Sequence, residues 1–265
     1  LTFFIAWVWT AEHPIVDLHL FTDTNFRFGV ILLSVGFMTY FATVVVFPLW
    51  LRSVMNYTSA RAGMAMAPIG IFTLILSPII GRNIARLNLR VLSTFAFVIM
   101  GGVSLWNSFF SLDADFWTIV TPRLVQGIGM ACFFMPVQTL MLSGITPDRM
   151  AAASGLSNFL RTLGAAMGTA ISVTTWDHLA SSNHARLMEN VSVYSPASND
   201  YLGTLRAAGM TLDQAYAAVE RMITAQSYML ATNQFFFYCS LAFFALTGVV
   251  WLTKPKKMTA APTGH

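Results

Sequence analysis

Arg161 places a full positive charge in the middle of an apolar stretch, SGLSNFLRTLGAAMG at residues 154–168. A guanidinium keeps its proton in proteins, so the chemistry it offers is ion pairing and directed hydrogen bonding rather than proton relay. Near the centre of a bilayer such a charge costs about 3 kcal/mol and is normally turned toward a polar interior with a partner. At about 100° per residue, Ser154, Asn158, Arg161, Ala165, Gly168 and Ser172 share one helical face, with Phe159, Leu160, Leu163 and Met167 opposite. The small, polar face suits a protein interior and the greasy face suits lipid. Gly164 and Gly168 form a small-xxx-small pair that lets a second helix approach closely. Two roles stay open for Arg161: a cation that pins two helices together, or a cavity or gate residue along a solute path.

Other polar side chains lie in the apolar blocks: Tyr40, Gln126, Gln138, Asn158, Asn233 and Gln234, among Phe37, Phe133, Phe134, Phe237 and Met130. Apolar walls with a few polar groups make an organic-ligand pocket, and methionine and aromatic walls repack around varied guests. On one helix Arg123 and Phe134 point the same way, with Gln126 and Gln138 about 60° to either side. The alternative for any one of these phenylalanines is a lipid or helix contact.

Several chemistries are absent from the pattern. All eleven acids and all five histidines fall in loops or at the edges of the apolar blocks, so the spans hold no titratable relay. There is no nucleophile–base spacing, no phosphate-binding glycine loop and no metal-ligand cluster. Gly127-Ile128-Gly129 follows no strand and reads as helix packing. Cys132 and Cys239 sit inside apolar blocks and read as buried free thiols. An enzyme is disfavoured, and no cofactor or metal is expected.

The elements that must carry these residues follow from composition. The 265 residues are 56% hydrophobic and 10% charged, with mean hydropathy +0.64, whereas soluble domains carry roughly 25% charged residues. Long unbroken apolar blocks imply an all-α integral membrane protein rather than a barrel. Spans are expected at about 28–51, 62–81, 91–111, 117–143, 150–176 and 229–252. The first five make up residues 28–176 of a six-helix bundle. Residues 1–10 read as the end of an earlier span, and 11–27 as an interfacial cytoplasmic linker. The chain opens on Leu1 within an apolar run, so it is expected to be the C-terminal part of a longer polypeptide.

Basic residues fix the orientation. Arg27, the Arg82/Arg86/Arg90 group, Arg149 and Lys254/Lys256/Lys257 fall on one side, which by the positive-inside rule is cytoplasmic. The tail, 253–265, is then cytoplasmic, and residues 177–228 form an outer loop. Within it a helix is expected near 211–226, with Thr211 as N-cap and Asp213 in the first turn. The net charge of +4 reflects these loop positions and does not argue for nucleic acid.

The segments SPIIGRNIARLNLR (77–90) and QGIGMACFFMPVQTLMLSGITPDRMAAASGLSNFLRTLGAAMGTAI (126–171) carry a family resemblance, as do PIVDLHLF (14–21), GMTLDQA (209–215) and WLTKP (251–255). On them the chain resembles the EmrB-type multidrug efflux transporters, the fourteen-span drug:proton antiporter branch of the major facilitator superfamily. The likeness implies that 28–252 is a C-terminal six-helix bundle. It also implies a cytoplasmic loop motif of the form G-x-x-x-D-R-x-G-R-K, matched here by Gly81, Arg86 and Arg90. Ala85 stands at the Asp position and Asn88 at the second Gly position.

The resemblance further implies proton-driven export of hydrophobic drugs by alternating access. The proton-carrying acid is expected in the N-terminal half of the same polypeptide. The setting implied is the bacterial inner membrane, with a periplasmic adaptor protein and an outer-membrane channel as partners. Arg161, Asn158, Gln126, Gln138, Tyr40, Phe134 and Asn233 are the expected substrate-binding or gating residues. The competing readings are a facilitator of the same fold moving one metabolite or siderophore, and a non-transporting membrane scaffold.

Overall fold

In the computed structural model the described residues are 18–84, 86–190 and 196–254. The expected span end at 1–10, most of the linker, Ala85 and the tail beyond Lys254 lie outside them. Every regular element among the described residues is helical.

The first long helix, α1 (Thr24–Ser53), starts where Asp23 accepts hydrogen bonds from the backbone N–H groups of Asn25 and Phe26, at 2.8 and 3.0 Å. The second span is two helices, α2 (Ser59–Met66) and α3 (Pro68–Asn83). Pro68 has no N–H to give and sits at the first turn of α3, where none is needed, so the break falls before it. Helix α4 (Leu89–Asn107) is capped by Asn88, and α5 (Phe116–Leu142) by Asp115. Asn88, which departs from the family pattern, here accepts from the backbone N–H groups of Arg90 and Val91.

The expected boundaries at 177 and 229 differ from the observed ones. Helix α6 runs from Met150 to Asn190 and α8 from Leu212 to Val250, with a short α7 (Pro196–Ala207) between them. Helix α6 contains no proline, and Trp176, Ala180 and Asn183 keep its buried stripe going past residue 176. Likewise Thr211 caps α8 by accepting from Gln214 N–H, while the Gln214 side chain accepts from Thr211 N–H. The segment near 211–226 is therefore the first part of the last long helix. At 1.5 Å per residue α6 is about 60 Å long and α8 nearly as long, roughly twice the hydrocarbon thickness. Their ends pair: the Asn183 amide donates to Gln234 Oε1 at 3.0 Å, and a His184 ring nitrogen lies 3.0 Å from Glu220.

By length and apolar composition, five segments among the described residues can cross a membrane: α1, α2 with α3, α4, α5 and α8. Helix α6 is not among them, because Arg161, Asn158 and many Ser, Thr and Gly residues dilute its apolar content. It completes the bundle through packing, wedged between α1 and α8. Helix α1 is the hub and touches α5, α6 and α8; α3 packs on α5, and α4 on α5 and α8. The core has two layers. One holds Phe37, Phe97, Phe133 and Phe243, and the other Phe47, Trp50, Phe110 and Phe236.

The α1–α6 contact depends on missing side chains. A β-carbon on Gly164 would lie 2.4 Å from the Ser34 carbonyl oxygen, and one on Gly168 would lie 2.1 Å from that of Met38. The pairs 34/164 and 38/168 advance together, so α1 and α6 run parallel. Phe159, Leu163, Met167 and Ile171 point away, each more than two-fifths exposed. Leu160, read as part of that outer face, instead packs on the core. At one end of the bundle Asn25 clasps the segment after α8. Its side-chain N–H donates to the Lys254 carbonyl at 2.7 Å, and its Oδ1 accepts from Lys254 N–H at 2.6 Å.

Candidate functional site

A cavity of about 370 Å³ opens between α1, α5 and α6. Leu33 comes from α1, Phe134 and Gln138 from α5, and Ser154, Gly155, Ser157, Asn158 and Arg161 from α6. The arrangement follows from helix packing. Gly164 and Gly168 bring α6 against α1, which sets Arg161, one turn before Gly164, beside Phe37. The Arg161 guanidinium lies 5.0 Å from the ring centroids of both Phe37 and Phe134. It donates to Asn158 Oδ1 at 2.5 Å. Two aromatic faces and one amide hold the cation while the cavity keeps its other N–H groups within reach of a guest.

Four of the sequence-proposed residues therefore meet: Arg161, Asn158, Gln138 and Phe134. The remaining three lie elsewhere. Gln126 accepts a hydrogen bond from Arg123 Nη1 at 2.7 Å, deep in the bundle. Tyr40 packs against the Phe37 layer of the core, its ring 5.7 Å from that of Phe41. Asn233, on α8, donates its side-chain N–H to the Phe110 carbonyl at 3.0 Å and belongs to the far layer of the core. Phe237, also on α8, is 44% exposed on the outside of the bundle.

The buried cation Arg123 is the residue that sequence reasoning left out of the site. It is 1% exposed, and its guanidinium carbon lies 3.8 Å from the centroid of Phe47. The signal was the one that singled out Arg161: a charge inside an apolar block with an amide three residues away.

In the loop motif, a β-carbon on Gly81 would meet Met135 Sδ at 3.3 Å, so α3 and α5 touch there. Arg86 is exposed in the turn after α3, and Arg90 lies partly buried in the first turn of α4.

Outside the spans, two loop carboxylates are held in their charged form. The Thr118 hydroxyl and N–H hold the Asp115 carboxyl below the usual carboxylate range, and the Thr146 hydroxyl does the same for Asp148.

Comparison with known proteins agrees with this architecture. The pattern described as "Major Facilitator Superfamily" matches residues 8–169. The chain is 41% identical over 256 residues to the Multidrug export protein EmrB of Escherichia coli K12, covering 96% of this chain and 50% of that protein. It is 37% identical over 255 residues to the Fatty acid resistance protein FarB of Neisseria gonorrhoeae, covering 96% and 50%. It is 35% identical over 252 residues to the EmrB of Haemophilus influenzae, covering 95% and 49%. The chain thus spans about half the length of these relatives. With its apolar helices and their packing, the 265-residue chain is a multi-pass, all-α membrane protein that belongs to the major facilitator superfamily.

Proposed function

We propose that this chain is the C-terminal six-helix bundle of a proton-driven multidrug efflux transporter. Hydrophobic compounds bind between this bundle and an N-terminal one, and rocking of the two bundles exposes the site to each side in turn. The observation that carries this reading is the cavity at Arg161: one cation, two amides and two serines set beside Leu33 and Phe134, built on helices packed through glycine. That is the make-up of a site that orients an amphipathic guest without selecting one shape. The relatives' names, multidrug export and fatty acid resistance, support export of apolar compounds.

No span here offers a carboxylate, so the proton is carried by an acid in the N-terminal half. By the positive-inside rule the C-terminus lies in the cytoplasm, on the inner side of a bacterial inner membrane. The outer ends of α6 and α8 then reach the periplasm, where an adaptor protein leading to an outer-membrane channel would dock.

The test is growth. The full-length gene is expressed in a pump-deficient Gram-negative host, with and without the adaptor, against unrelated hydrophobic compounds. Resistance to several that is lost without the adaptor supports the tripartite pump. Response to a single solute points to a facilitator of the same fold, and response to none removes the transport reading.

A further inference from the structure

Arg123 is a desolvated cation whose charge no acid in the bundle core balances. Its Nη1 donates to Gln126, but Nε and Nη2 have no hydrogen-bond partner among the described residues. No apolar span of the chain holds an aspartate or glutamate. One amide and the Phe47 ring offset only part of the cost of burying a guanidinium, which does not escape by losing its proton.

The arrangement repeats the one at Arg161. In each, a guanidinium on a bundle helix takes a carboxamide three residues away, Gln126 or Asn158, and lies against a phenylalanine of α1, Phe47 or Phe37. Phe37 and Phe47 are ten positions apart, about 15 Å along the helix. Tyr40 lies on α1 between them. The two cations differ in access, since Arg161 lines an open cavity and Arg123 is shut inside.

Prolines flank the closed one. Pro48 follows Phe47 in α1, and Pro122 precedes Arg123 in α5, both inside their helices. Each removes a backbone hydrogen bond, so both helices are weakened beside the guanidinium, as α5 is again at Pro136.

We propose that Arg123 and Gln126, seated on Phe47, form a second, outer anion station, which opens at Pro48 and Pro122 to receive the carboxylate of an amphipathic guest from Arg161. The ligand class is an organic carboxylate on an apolar body. Its carboxylate accepts from one N–H on each of the two unpartnered nitrogens, Nε and Nη2, of Arg123 and neutralises the buried charge. The station lies further along the path toward the Ser53 end of α1, the extracytoplasmic end. This inference rests on the transport reading above and specifies one step within it.

The test uses the full-length transporter in proteoliposomes, with two fluorescent probes of one shape: pyrenebutyrate, an anion, and pyrenebutanol, its neutral counterpart. The readout is the ratio of their transport rates. Arg123→Met lowers the pyrenebutyrate-to-pyrenebutanol ratio at least tenfold, mainly through kcat, while Arg161→Met acts mainly through the KM for pyrenebutyrate. Arg123→Lys restores part of the ratio, and Gln126→Leu lowers it, which keeps the test open if the Met variant does not fold. A ratio within twofold of wild type in Arg123→Met or Gln126→Leu overturns the station, whether the two rates fall together or stay put, because a structural pin serves both probes alike. Transport of neither probe by the wild type removes the transport reading itself.

Discussion

Gly168 rests on the backbone of Met38 with no room for a β-carbon, which would lie 2.1 Å from the Met38 carbonyl oxygen. Gly168→Ala must therefore push α6 off α1, at about 1–3 kcal/mol by the usual cost of overpacking. Gly102 on α4 has nothing within 4 Å of the same position, so Gly102→Ala leaves stability unchanged or slightly higher. Thermal unfolding of the two variants in detergent checks the pair. Equal shifts would mean that the close α1–α6 contact does not limit stability.

Arg161 faces the cavity with only Asn158 as a hydrogen-bond partner among the described residues. A charge-assisted hydrogen bond contributes roughly 1.5–3 kcal/mol, so Arg161→Ala should weaken anionic guests by about tenfold or more. The measurement is drug resistance at matched protein level. Unchanged resistance would leave Arg161 only its contacts with Asn158, Phe37 and Phe134.

Trp176 and Thr232 tie α6 to α8 in the Phe47–Phe236 layer of the core, through Nε1 donating to Oγ1 at 2.9 Å. Both side chains are buried, 2% and 0% exposed. Thr232→Val keeps the shape and leaves the indole N–H without a partner, a loss of about 1–3 kcal/mol. Thr232→Ser keeps the hydroxyl and should lose less. Near-ultraviolet circular dichroism during unfolding follows Trp176 as well as the global transition.

Asp115 caps α5, with its carboxyl held below its ordinary value of 3.8 by Thr118. A carboxyl lowered in the folded state adds stability that is fully present above its unfolded pKa. That stability is lost as pH falls through the folded pKa. Stability should thus be flat above about pH 5 and decline below about pH 4. Asp115→Asn, which still caps a helix, should remove part of that decline. Unfolding midpoints between pH 2 and pH 6 would show it, and identical slopes in both proteins would dismiss the effect.

Direction around a helix was legible in the sequence, and depth across helices was not. Helical phase turns Phe159, Leu163 and Met167 outward and Gly168 and Ser172 inward, as the exposures show. Phase also made Gln126 and Gln138 neighbours of one pocket. In space Gln138 lines the Arg161 cavity, and Gln126 sits beside Arg123, in the layer of Phe47. Only the pairing of α5 against α1 sets those depths, and no periodicity within α5 encodes it. The long end of α6, and the fusion of the expected 211–226 helix with the last span, escaped for a related reason. Residues 177–190 are too polar for a span, yet they keep a buried stripe through Ala180 and Asn183 that a hydropathy reading takes for loop. Leu160 escaped because a residue at the edge of the stripe can turn either way once the helix packs on the core.

The clasp between Asn25 and Lys254 makes the bundle a closed circuit of chain. Its first helix and the segment after its last are joined by two hydrogen bonds, so the order in which the helices are strung does not dictate where the polymer must begin. A circular permutant that links 254 to 25 and opens at the Gly209 turn would keep every packed pair described here.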